Sequence, residues 1–286
     1  MNYELIKKWY SDKRVMFEIV KCIKDKEVSI LGDKRVRCII ANQYKYFNSN
    51  LDKFMFFESV NNLYYSLANF DWKKLNSVLS FRCFSFAHDE RKKQMKEFNL
   101  KATSLIKSYD LGIDFDNHDG DNFKKVYKDC NLLKYYFDKY KVEYSLKLSG
   151  SGLHIEVKAD KLPKYIKVEA DITKRVKMIG EMMTDIKLML DLDTMDVGEI
   201  DNVEVGSFYE TRRIFKIPYT LDYKTGIVAF PLNDDQFGYL RLSRIEDLKR
   251  CFSVDMVLKM NLFNRGILTR EGSSKGFDKF LEEVIY

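Results

Sequence analysis

Proline is scarce in this chain of 286 residues, with 3, and glycine is modest at 13. So few of either exclude a long flexible linker and any low-complexity tract. No internal repeat is visible, which excludes solenoid and propeller architectures. One domain over residues 1–286 is expected. No stretch of about 18 uninterrupted apolar residues occurs, so no membrane span is expected. The opening MNYELIKKWYSDKR carries no apolar segment of signal-peptide type. The 5 cysteines, at 22, 38, 83, 130 and 251, are odd in number and widely spaced, which argues against a disulfide framework. Cys-x-x-Cys is absent, so no structural zinc is expected. A reducing, cytoplasmic compartment fits best.

What is present suits a folded, mildly basic domain. Hydrophobic residues make up 45%, enough for a sizeable core, and the net charge is +6. That charge permits a polyanionic partner without demanding one. The first 25 residues and 89–108 read as helix, and 26–31 with 35–40 as a hairpin across Gly32-Asp33. Residues 51–78 read as mixed helix and loop, and 78–87 as a strand. Strands are expected at 109–116, 142–148 and 153–159, and as short pieces from 199 to 231. Helices are expected at 121–140, at 168–190 and through most of the tail. Helices lying between strands predict a mixed α/β (α+β) fold, with a mainly antiparallel central sheet flanked by helices.

Three segments carry chemistry. In Asp110-Leu111-Gly112-Ile113-Asp114-Phe115-Asp116, side chains alternate across a strand. Leu111, Ile113 and Phe115 then face the core, and Asp114 and Asp116 project together from the other side. Paired carboxylates repel unless a cation sits between them. Oxygen-only ligands suit magnesium or manganese, and two such ions form the usual device for in-line phosphoryl displacement. An acidic strand end running into a solvated loop is the plainer alternative. A calcium loop fails: counted from Asp114, glycine falls one place late at Gly120 and position twelve is Lys125. In the second segment, Ser149-Gly150-Ser151-Gly152 joins two strands and is followed by His154. It is either an anion-binding concavity or an ordinary hairpin turn. The third, 198–232, holds Asp201, Arg212, Arg213, Lys216 and the turn Lys224-Thr225-Gly226. It reads as a carboxylate plus phosphate-facing cations, or as a basic surface hairpin.

Taken together, the three segments resemble the catalytic subunit of archaeal and eukaryotic DNA primase and its wider superfamily. Asp114-Phe115-Asp116 is similar to that family's paired-aspartate strand. SGSGLHI (149–155) resembles its serine–glycine–histidine nucleotide motif. IDNVEV followed by RRIFKIPYTLDYKTG resembles its third-aspartate segment, over a match covering about 100–232. RVRCI is a weaker echo that brings in Arg37. The resemblance implies a primer-making nucleotidyltransferase with Asp114, Asp116 and Asp201 as catalytic ligands of two Mg²⁺ or Mn²⁺ ions. Ser149, Gly150, Ser151, His154, Arg213, Lys216, Lys224 and Arg37 would hold the nucleotide. Single-stranded DNA and nucleoside triphosphates are the implied partners, with room for a large primase subunit. Polymerases of repair, end joining or translesion synthesis share the pattern. So does a non-catalytic nucleic-acid-binding subunit. Two departures stand out: the 149–154 loop is a residue short and lacks a basic residue, and Asp222-Tyr223 stands where the family has histidine.

Overall fold

The computed structural model describes residues 3–23, 26–31, 36–39, 62–71, 84–85, 105–116, 123–197, 213–222, 224–261, 263 and 269–286. A mixed α/β fold with antiparallel sheets is found, as expected. It contains two facing sheets where one central sheet was expected. The first has the order β11 (Ile214–Lys216), β3 (Asn62–Ser66), β1 (Glu27–Leu31), β2 (Val36–Ile39), β5 (Phe84–Ser85). The second runs β10 (Met195–Asp196), β7 (Leu111–Phe115), β9 (Leu153–Val157), β8 (Tyr144–Leu148), β12 (Phe230–Pro231), and β13 (Thr269–Arg270) also pairs with β8. A separate ribbon pairs β4 (Ala68–Phe70) with β6 (Ile106–Tyr109), continuous in chain with β3 and with β7.

The hairpin expected at 26–40 is the β1–β2 pair. Residues 62–70, expected as helix and loop, are instead the strands β3 and β4. Leu67 breaks the run between them, and its amide donates to the Arg213 carbonyl at 2.9 Å. The helix expected to reach residue 108 gives way to β6 by Ile106. Its earlier part, like 51–61 and 72–83, lies outside the described residues.

Helices cover the outer face of the second sheet. Helix α1 (Tyr3–Tyr10) and α2 (Lys13–Cys22) stand at the N-terminal side, α2 capped by Asp12, which accepts from the Arg14 amide. Helix α3 (Phe123–Lys139) buries Val126, Cys130, Leu133 and Phe137 against β7 and β9. Helix α4 (Lys164–Val168) is short, and α5 (Ile172–Leu190) begins at Asp171, which accepts from the Thr173 and Lys174 amides. The predicted stripe Val176, Ile179, Met182, Met183, Ile186 and Leu190 is buried. Each such side chain contributes about 1.5–3 kcal/mol relative to exposure. The tail forms α6 (Asp234–Tyr239), α7 (Ile245–Cys251), α8 (Val254–Lys259) and α9 (Ser274–Phe280). Among the described residues no helix is long and apolar enough to cross a membrane.

The sequences of β8 and β9, YSLKL and LHIEV, alternate, yet both strands are buried along their whole length. The polar face is buried because the first sheet packs onto it. Lys147 pairs with Glu156 there, and the Tyr65 hydroxyl donates to the same carboxylate. Further inside, Asp110 accepts from Lys26 at 2.9 Å, Lys158 at 3.0 Å, Asn69 at 3.0 Å and the Ala159 amide at 2.9 Å. Burial raises the Asp110 carboxyl, but Lys26 and Lys158 outweigh it and hold it far below the usual range. Burial likewise opposes Glu156, and Lys147 and Lys158 bring it down to about 2. Such buried pairs add little net stability, since desolvation offsets much of the attraction.

Candidate active site

The second sheet brings four polar side chains into one row. Strand register sets Asp196 of β10 against Asp114 of β7, Asp114 against His154 of β9, and His154 against Lys147 of β8. Directly paired residues of an antiparallel sheet share a face. His154 Nε2 lies 3.1 Å from Asp114 Oδ1, and the imidazole packs edge-on to Phe215 with ring centroids 4.6 Å apart. The Phe215 ring fills the space over Gly112, where a Cβ would come within 2.8 Å of it. Asp116 lies off the row, two residues beyond Asp114 along the chain, and its amide donates to the Thr194 carbonyl at 3.0 Å.

Strand β10 is only two residues long, so its position depends on ties around it. Asp129 on α3 accepts from both the amide and the hydroxyl of Thr194 at 2.8 Å. Lys187 donates to the Met195 carbonyl at 2.6 Å. These hold Asp196 beside Asp114, and the Arg213 guanidinium lies 4.0 Å from Asp196. The sequence offered no sign of Asp196, because two strand residues carry no periodic pattern.

The 149–152 turn closes the end of the same sheet. Its Ser149 amide donates to the Gly152 carbonyl at 3.0 Å. A Cβ on Gly152 would stand 2.5 Å from the Phe115 carbonyl oxygen, so only glycine lets the turn sit against the Asp114–Asp116 strand. Gly150 has φ +120°, and a Cβ there would meet Asp222 at 2.8 Å. Lys216 Nζ donates to the Ser149 carbonyl at 2.6 Å and to Asp222 at 2.8 Å. Asp222 also accepts from the amide and hydroxyl of Thr225, at 3.0 and 2.6 Å. One carboxylate thus joins the small-residue turn, the cation and the Lys-Thr-Gly turn. Helix α1 braces this arrangement from behind: Trp9 donates to the Tyr219 carbonyl at 2.8 Å, and Tyr10 bonds Thr220 and the Leu221 amide. Tyr219 is held at φ +64°, a conformation that costs a non-glycine residue about 1 kcal/mol or more.

Charge follows position. Burial would raise the Asp114 carboxyl, but His154, Arg213 and Lys216 outweigh it and keep it below the ordinary value. Burial lowers His154 more strongly than Asp114 raises it. The two groups imply different imidazole charges, and burial decides for the neutral ring near pH 7. Its Nε2–H then donates to Asp114. The buried Nδ1 has no hydrogen-bond partner among the described residues.

The structure therefore assembles Asp114, Asp116, Ser149, Gly150, Ser151, His154, Arg213 and Lys216 around one end of a sheet. Lys224 stands exposed on its turn, outside the ion-pair network. Arg37 lies on β2 opposite Ser29 and Phe84, and its side chain is outside the described residues. Asp201 also lies outside them. Among the described residues, no group of three His, Cys, Asp or Glu side chains is already arranged to hold a metal ion. The donor chemistry nonetheless suits a hard divalent cation: Asp114 is an ionised carboxylate, with Asp196 beside it and Asp116 on the same strand face.

No family model matches the chain, and no curated protein does. Among solved structures, it is similar to the polymerase domain from Mycobacterium tuberculosis Ligase D in complex with DNA. The identity is 10% and the TM-score 0.48, over 91% of this chain and 88% of that one. A likeness that distant assigns no activity and no residue roles.

Proposed function

We propose that this chain is a template-directed nucleotidyltransferase of the archaeo-eukaryotic primase kind, making primers on single-stranded DNA from nucleoside triphosphates. One observation carries the reading: the Asp114 row ends against the Ser149–Lys216–Asp222 cradle, so carboxylates and phosphate-type donors share one rim. Ser149, Gly150, Ser151 and His154 are assigned to phosphate oxygens. Lys216 spends two of its three N–H donors on Ser149 and Asp222, which leaves one aimed by the other two. Arg213 and Lys216 offset the charge that grows on the departing pyrophosphate. Asp114, Asp116 and a third carboxylate would hold Mg²⁺ or Mn²⁺, which when bound would supply Lewis acidity for the attacking hydroxyl and the leaving group. Two residues compete for third ligand: Asp201 by resemblance and Asp196 by strand register.

The test is nucleotide incorporation on single-stranded DNA, primed and unprimed, with ribo- or deoxyribonucleotides and either metal ion. Asp114→Asn is expected to slow it about a hundredfold or more, the scale of losing one charge-stabilising group. Of Asp196→Asn and Asp201→Asn, the one that matches this loss identifies the third ligand. Undiminished incorporation by Asp114→Asn would sink the reading. A second reading, a non-catalytic nucleic-acid-binding subunit, is favoured by Asp222, whose negative charge occupies the cradle. No incorporation by the unaltered chain under any of these conditions, with DNA binding retained, selects it.

A further inference from the structure

Helix α3 divides its cations into two kinds. Near its C-terminal end Lys134 is paired with Asp138 and Asp234, and Arg270 from β13 shares Asp234. Near its N-terminal end Lys124 and Lys128 have no hydrogen bond or ion pair among the described residues. Neither does Arg241, which follows α6 in the 3₁₀ turn Leu240–Leu242. These three, with Lys125, Tyr127 and Asn131, line a groove of about 690 Å³. Lys125 alone among its cations has a carboxylate partner, Asp193 at 2.8 Å.

Two features make this more than a solvated face. The first turn of a helix favours acidic residues, and each cation placed there costs about 0.3–1 kcal/mol. The first turn of α3 has no acid and carries Lys124 and Lys125. The floor of the groove is also rigid: Tyr127 is stacked on Phe237 with ring centroids 4.7 Å apart. Contacts supply direction. Lys125 in the groove pairs with Asp193 at 2.8 Å, and Asp129 of the same helix holds Thr194, whose carbonyl accepts from the Asp116 amide.

We propose that this groove binds the phosphodiester backbone of a DNA strand and leads it to the rim that carries Asp114, Asp116 and Asp196. The inference deepens the polymerase reading and rests on it for the strand's destination. Contacts to phosphate are independent of sequence and release counterions, so they are read by salt dependence.

The experiment measures binding of fluorescein-labelled oligodeoxythymidylate of about 20 nucleotides to the full chain across a salt series, without nucleotide or divalent ion. The variant is Lys124→Gln/Lys128→Gln/Arg241→Gln. A control of equal charge change replaces exposed Lys7, Lys174 and Lys275 with Gln. The groove variant is expected to bind at least about tenfold more weakly, with the salt slope reduced by about 2. The control should stay within about twofold. If the triple variant does not fold, Lys128→Gln and Arg241→Gln are measured singly, each expected to lose about threefold. Unchanged affinity and slope in the groove variants, or an equal loss in the control, would overturn the proposal. Because incorporation is not measured, groove-dependent binding by a chain that incorporates nothing would remove the polymerase reading alone.

Discussion

The inner and outer halves of one sheet face use the same residue types to opposite ends. Inside, Asp110 and Glu156 are surrounded by Lys26, Lys147, Lys158 and Tyr65, and each oxygen has its donor. At the rim, a few residues along the same strands, Asp114 meets one imidazole and stands beside Asp196. The inner carboxylates are locked between layers. The outer ones stand partly exposed at the rim. Exposure, more than the presence of charge, separates the two halves.

The sharpest way to break that comparison is to neutralise one carboxylate in each half. Glu156→Gln strands Lys147 in the interior and is expected to cost about 3–5 kcal/mol of unfolding free energy. Asp116→Asn at the rim should cost less than about 1 kcal/mol, as ordinary partly exposed substitutions do. Denaturant titration of both variants measures the contrast, and similar losses would erase the distinction. The pH profile adds a sign. Glu156 has a folded pKa of about 2 against an ordinary 4.5, so its contribution is present above pH 4.5 and lost as pH falls toward 2. Glu156→Gln should flatten acid unfolding in that window.

A middle-sized effect belongs to the cradle. Gly150→Ala forces a side chain into φ +120° and against Asp222. A loss of about 1–3 kcal/mol is expected, with nucleotide affinity falling alongside in an equilibrium binding titration. The smallest effect concerns His154. Its folded pKa lies below the ordinary value near 6.5 because the ring is buried. The unfolded chain therefore binds the extra proton first, and stability declines as pH drops below 6.5. Thermal melts of His154→Gln across pH 5–7 should show a shallower decline than the unaltered chain.

Much of the candidate site's geometry was legible because local rules govern it. Alternation placed Asp114 and Asp116 on one face, and the small-residue run 149–152 announced a turn. The apolar stripe of α5 was readable at helical spacing. The rest depends on contacts between distant segments. The strands carrying Lys147 and Glu156 alternate polar and apolar residues, and only the arrival of Tyr65 and Phe215 from another sheet makes their polar face interior. Strands β3 and β4 are short and interrupted at Leu67, so their residues offered no clean period. Asp196 became visible only through its register with Asp114. Asp222 departs from the family pattern and looked like a loss, yet it is the residue that ties two turns and Lys216 together.

The bracing of residues 219–221 by Trp9 and Tyr10 makes the two ends of a long stretch of chain mechanically one. Whatever loosens α1 slackens the loop that aims Lys216. The first helix is thus a buttress for the 149–152 cradle, and damage to it would register as a displaced Lys216–Asp222 pair in a turn whose own residues are all intact.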